Sequence, residues 1–135
     1  MIARLVVQLI IEQYYRAINA KNIDAIVDVF EPDGTFQYPE SPPIRGREEI
    51  RRAEERILAP IDEMTLTPDQ MFIVGDRAAV KFTMRVKAKN GRSATMEGID
   101  TFQINPDGKI QSVSVYYDAS ALAGLVNPAS GASKR

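Results

Sequence analysis

Met96-Glu97-Gly98-Ile99-Asp100-Thr101-Phe102-Gln103-Ile104 is the stretch on which the fold turns. Read at the two-residue period of a β-strand, one face carries Met96, Gly98, Phe102 and Ile104, with Asp100 in their midst. A carboxylate on an apolar face is costly to bury unless it is hydrogen-bonded or keeps its proton. Either the face is misassigned, or Asp100 serves a chemical purpose.

The preceding strand decides between these. Ala78 to Ala88 alternates Val80, Phe82, Met84 and Val86 with Lys81, Thr83, Arg85 and Lys87, so its buried face is unambiguous. A two-residue turn at Asn90-Gly91 would set Lys81 opposite Asp100 on the wet side and drive Met96, Phe102 and Ile104 into water. A three-residue loop, Lys89-Asn90-Gly91, with Gly91 in the left-handed conformation, sets Val80 opposite Asp100, Phe82 opposite Gly98 and Met84 opposite Met96. Slipping by one residue exchanges the whole apolar set for the polar one, so burial favours the second register. Asp100 is expected inside.

Outward from this hairpin, the chain divides into helices first and strands afterwards. The spacing predicts a helix over Ala3 to Asn19, with Val7, Ile11, Tyr14 and Ile18 on one stripe. Asn22 is a suitable N-cap for a second helix, Ile23 to Phe30, and Pro32-Asp33-Gly34 turns the chain into a short strand, Thr35 to Tyr38. After a proline loop and Arg45-Gly46, a third helix is predicted over Arg47 to Leu58, with Ile50, Ala53, Ile57 and Leu58 as its apolar side. Strands follow at Met64 to Val74, Ala78 to Ala88, Arg92 to Ile104 and Lys109 to Tyr117. Pro68 marks the first as an edge strand or a bulge site, and the last needs a bulge to keep Val113, Val115 and Tyr117 on the apolar side. The expected architecture is α+β, one domain over 1–118 with a tail at 119–135 and one short helical turn near Ala119 to Leu125.

Composition narrows the chemistry. With 135 residues, a net charge of −1 and no basic run, neither nucleic acid nor a membrane surface is an expected partner. The apolar amino end lacks the flanks of an export signal and is too short to span a bilayer, so a cytoplasmic location is the default expectation. Cysteine and histidine are both absent, which removes thiol chemistry, the commonest metal ligand and the commonest general base. No metal or cofactor is expected; proton transfer must use carboxylates, tyrosines or lysines.

The run Gln13-Tyr14-Tyr15-Arg16-Ala17-Ile18-Asn19-Ala20-Lys21-Asn22-Ile23-Asp24-Ala25-Ile26-Val27-Asp28-Val29-Phe30 resembles the first two helices of bacterial ketosteroid isomerases. The Arg45-Gly46 loop, the strand Ala79 to Met84 and the hairpin from Gly98-Ile99-Asp100-Thr101-Phe102 to Tyr117 are similar to that family too. The resemblance covers about residues 10–118 and extends to the wider nuclear-transport-factor-2-like (NTF2-like) superfamily, with its SnoaL-like cyclases and limonene epoxide hydrolases. It implies a cone-shaped fold of three helices on a curved, mainly antiparallel sheet, and a two-fold homodimer through the outer sheet face, where Ile99, Thr101, Ser112, Ser114 and Tyr116 stand.

It also implies roles. In the isomerases a tyrosine and a protonated aspartic acid form an oxyanion hole while a second aspartate shuttles the proton. Those positions correspond to Tyr14, Asp100 and Tyr38, the last a departure, since a phenol is a poor base at neutral pH. Glu54, near the family position of a network aromatic, and the loop residue Glu40 are the candidate replacements, although each also fits a solvated surface. Phe82, Met84, Met96 and Phe102, with Val113, Val115 and Tyr117, are core residues that would line a ligand cleft at its mouth. Epoxide hydrolysis would need an arginine between two pocket aspartates, and Arg85 has the wrong parity for it. The expected function is cofactor-free acid–base chemistry on a hydrophobic carbonyl or enol, with a non-catalytic small-molecule-binding or dimerisation module as the alternative.

Overall fold

The computed structural model describes residues 3–118. Within them the elements follow in the order α1 (Arg4–Asn19), α2 (Ile23–Asp28), β1 (Phe30–Gln37), β2 (Ile44–Arg45), α3 (Arg47–Leu58), β3 (Ile61–Val74), β4 (Arg77–Ala88), β5 (Ser93–Ile104) and β6 (Ile110–Tyr116). The strands form one sheet in the order β2-β1-β6-β5-β4-β3, antiparallel except for the β1–β6 pair. The expected tail at 119–135 and the helical turn near Ala119 to Leu125 lie outside the described residues. Among the described residues no helix is long and apolar enough to cross a membrane.

The β4–β5 hairpin adopts the register that burial favours. Val80 faces Asp100, Phe82 faces Gly98 and Met84 faces Met96. Gly91 has φ +90° and its N–H closes the loop on the carbonyl of Ala88 at 2.9 Å. Lys81 instead faces Ile99, on the outer side, where it meets Glu97 at 3.2 Å and Asp69 at 3.5 Å. Opposite Phe82 only glycine fits. A Cβ on Gly98 would lie 2.5 Å from the Phe82 ring and 2.8 Å from the Tyr116 carbonyl oxygen. Pro68 lies in an edge strand beside a break in register, and β5–β6 shifts between Gln103 and Ile104, so both irregularities fall where proline and turn chemistry placed them.

Four elements differ from expectation, one of them β3, which starts at Ile61 ahead of the expected Met64. α2 stops at Asp28, held at its start by the Asn22 side chain accepting from the Ala25 N–H, because Phe30 is taken into the sheet opposite Ile110. β1 accordingly begins at Phe30, ahead of the expected Thr35, and carries a register shift between those two residues. β1 also lies parallel to β6, an arrangement that needs a long crossover, here supplied by the chain from β2 through β5. The two-residue β2 pairs with Thr35 and Phe36 and has no period by which sequence could reveal it.

The core lies between the helices and the inner face of this sheet. α1 supplies Val7, Ile11, Tyr14, Tyr15 and Ile18, and the inner parity of β4 to β6 supplies Val80, Phe82, Phe102 and Val113. Two charged side chains share that interior: Asp100, 2% exposed, and Glu54, 5% exposed.

Candidate functional site

A cavity of about 380 Å³ opens between α1, α3 and the inner face of the sheet. Its volume is in the range of small-molecule sites. Most of the wall is apolar: Phe82, Met84 and Val86 from β4, Met64 and Leu66 from β3, and Phe36 from β1. Val115 and Tyr117 close one side. The polar groups are few: Tyr14 from α1, Asp100 from β5, Tyr38 after β1, and Glu54 and Arg56 from α3.

The two acids are each held by a phenol. Tyr15 donates its hydroxyl to Oδ2 of Asp100 at 2.6 Å, and Tyr38 donates to Oε2 of Glu54 at 3.2 Å. Asp100 Oδ1 is buried with no hydrogen-bond partner among the described residues. Leaving such a group unsatisfied costs about 1–3 kcal/mol, and more when it is ionised, which favours the protonated carboxyl. Burial pushes Asp100 up to about 7 against the pull of the Tyr15 hydrogen bond. Burial likewise pushes Glu54 up to about 7, with the Tyr38 hydrogen bond opposing. Burial thus holds both carboxyls above the ordinary carboxylate range.

The tyrosines too are made less acidic. Burial, and then the charge of Asp100, raise Tyr14 and Tyr15 well above the ordinary phenol range. Burial and then Glu54 do the same for Tyr38. All three remain O–H donors. Tyr14 is fixed in position by edge-on contacts with the rings of Tyr15, Phe30 and Phe102. Its hydroxyl makes no hydrogen bond to the described residues, so it is available to a ligand.

Of the residues anticipated at the site, Tyr14, Asp100, Tyr38, Glu54, Phe82, Met84, Val115 and Tyr117 meet at this cavity. Met96, Phe102 and Val113 do not line it. Met96 packs in the ladder opposite Met84, while Phe102 and Val113 pair behind the Tyr14 ring. Tyr38 donates to Glu54, so of the two acids considered as replacements it is Glu54 on α3 that faces the cavity, buried and not on a solvated face. Glu40 is exposed in a left-handed turn with φ +58° and lies away from the wall. Tyr15 is the residue that sequence reasoning misses, although its spacing four residues after Ile11 and three before Ile18 places it on the same broad stripe.

A more open depression of about 600 Å³ lies between α2 and α3. Arg51 pairs there with Asp24 at 2.6 Å and Arg47 donates to the Phe30 carbonyl at 2.9 Å, and it is a surface groove. Among the described residues no group of three or more acidic ligands is placed to hold a metal ion.

A six-stranded, mostly antiparallel sheet that cups helices around one apolar cavity defines the NTF2-like, or ketosteroid-isomerase-like, class of fold. Within that class, residues 11–113 match the model of the SnoaL-like domain, and the chain belongs to the SnoaL-like family. Solved structures agree on the fold. An NTF2-like protein of unknown function from Burkholderia pseudomallei is 24% identical, with a TM-score of 0.81 over 90% of this chain and 98% of that one. TerC, co-crystallised with polyporic acid, is 22% identical, with a TM-score of 0.81 over 90% and 98%. SalBIII, an epoxide hydrolase/cyclase-like enzyme with a role in pyran ring formation in the polyether salinomycin, is 23% identical, with a TM-score of 0.76 over 85% and 92%.

Proposed function

We propose that this protein is a cofactor-free acid–base enzyme acting on a hydrophobic small molecule with an enolisable carbonyl, by isomerisation or cyclisation. The observation that carries the reading is the pair of tyrosine-held carboxyls, Tyr15–Asp100 and Tyr38–Glu54, facing one apolar cavity. A carbonyl oxygen accepts hydrogen bonds from the Tyr14 hydroxyl and the protonated Asp100 carboxyl. The Glu54 carboxylate takes the proton from the adjacent carbon, and the C–H electron pair passes into an enolate whose oxygen the two donors stabilise. For isomerisation, Glu54 returns the proton to the γ-carbon. For cyclisation, the enolate carbon bonds to an electrophilic carbon of the same molecule, whose oxygen then takes the proton. Tyr15 occupies Oδ2 and leaves Oδ1 of Asp100 for the ligand. The polyporic acid co-crystallised with TerC supports an oxygenated cyclic ligand, and the part SalBIII plays in pyran ring formation supports an oxygenated substrate that is cyclised.

A phenol imitates the enolate, so the fluorescent phenol 2-naphthol should bind the wild type. Tyr14→Phe should weaken that binding by about 1–3 kcal/mol, whereas Asp100→Asn, which can still donate, should keep most of it. Equal binding by Tyr14→Phe, or none by the wild type, would favour the silent ligand-binding or dimerisation module instead.

We also propose a two-fold homodimer through the outer sheet face. Ile99 and Tyr116 are exposed there at 45% and 56%, among small polar neighbours. Sedimentation at micromolar concentration should show a dimer; a monomer alone would refute it.

A further inference from the structure

Helix α3 carries four arginines, and three of them are answered. Arg47 donates to the Phe30 carbonyl at 2.9 Å, Arg51 pairs with Asp24 at 2.6 Å, and Arg52 pairs with Glu49. Arg56 has neither an ion pair nor a hydrogen bond among the described residues, yet it is the one that lines the cavity. Among the described residues it is the sole cation in a wall whose other ionisable groups are the acids Asp100 and Glu54 and the phenols. It is exposed, at the solvent end, while Asp100 and Tyr14 are enclosed. Its field reaches inward, since it acts on the Tyr38 hydroxyl in the direction opposite to Glu54. A cation in the last turn of a helix is also favoured by the helix dipole, but that accounts for its place on α3 and not for its facing an apolar cavity.

From this placement we propose that Arg56 selects substrates bearing a carboxylate at the end opposite the reacting oxygen. The ligand is then an apolar body of one or two rings, its carbonyl or enol oxygen at Tyr14 and Asp100 and its carboxylate at the rim on Arg56. A guanidinium presents a planar fork of donors that matches a carboxylate in two parallel hydrogen bonds. The same anion nearer the interior would meet Glu54, so orientation as well as affinity follows. This inference rests on the proposed oxyanion site for the position of the other end.

Fluorescence titration with two probes separates the two ideas. 2-Naphthol has only the phenol; 6-hydroxy-2-naphthoate adds a carboxylate at the far end. The wild type should prefer the naphthoate by about fivefold, the scale of one partly exposed charge pair, and the preference should shrink as salt rises. Arg56→Gln should bring the ratio of the two affinities to about one, and Arg56→Lys should restore part of it. Equal affinities in the wild type, or a preference unchanged in Arg56→Gln, would overturn the role of Arg56 and leave the oxyanion site standing. Binding of neither probe would overturn both.

Discussion

Glu54→Gln is expected to lower kcat/KM for isomerisation of a β,γ-unsaturated cyclic ketone by about 10²–10⁴-fold, the usual contribution of a positioned general base. The change is close to isosteric. The amide oxygen of the variant would still accept the Tyr38 hydroxyl and fill the same space on α3, so the cavity should keep its shape. What the side chain loses is the ability to accept a proton. Beside Asp100, Glu54 is the one carboxyl among the described residues of the wall, and Asp100 is assigned to the oxygen. The rate of conjugated-product formation, followed by ultraviolet absorbance, reads the effect. Activity in the variant equal to wild type would remove Glu54 from the chemistry. The wild-type pH profile should be narrow and bell-shaped around neutrality. Glu54 must be ionised and Asp100 protonated, and burial pushes both to about 7. Its two limbs belong to the pair jointly.

The second large effect is on stability. In the unfolded chain these carboxyls titrate near their ordinary values of about 4, whereas folded they titrate near 7. Below about pH 4 both states hold the protons. As pH rises from there, the unfolded chain releases its protons first, so it binds fewer than the native state, and the stability conferred by the native protons falls. Above about pH 7 the native carboxyls ionise too, and the loss levels off. At about 1.4 kcal/mol per pKa unit, each acid removes a few kcal/mol across that window. Urea unfolding at about pH 5 and about pH 8 should therefore show a decline that Asp100→Asn and Glu54→Gln each reduce. Comparison with wild type cancels the surface groups, among them Asp69, which the Thr83 hydrogen bond and then Lys81 hold below the usual range. Parallel pH profiles in wild type and both variants would show that neither acid is perturbed by folding.

Legibility in the sequence follows the range of the interactions. The β4–β5 register is readable because one clean alternation, one glycine and one turn length determine it between near neighbours. The parallel β1–β6 pair is not, because it depends on a crossover through most of the fold. Asp100 stands out as an acid on an apolar strand face. Glu54 carries the same signal, lying four residues after Ile50 and three before Ile57, but a glutamate on a helix ordinarily reads as solvated. The resemblance to the isomerases leads to Tyr14 as the partner of Asp100, and Tyr14 does reach the cavity. The hydrogen bond, however, comes from Tyr15. Adjacent positions on a helix differ by about 100° in direction, and both tyrosines are buried only because α1 presents a broad face to the sheet. Met96, Phe102 and Val113 have the right parity for the wall, but position along the strand, which parity does not report, keeps them out of it: Phe102 and Val113 pair beyond Asp100 on one side, and Met96 lies towards the other end of β5, opposite Met84.

Whether two carboxyls in this cavity are poised to exchange protons at neutral pH can be measured without a substrate, by carbon-13 NMR titration of the aspartate and glutamate side-chain carboxyls. Two resonances should have midpoints near 7, one missing in Asp100→Asn and the other in Glu54→Gln. Midpoints below about 5 for every carboxyl in the wild type, within the ordinary range for these groups, would contradict the proton-exchanging pair.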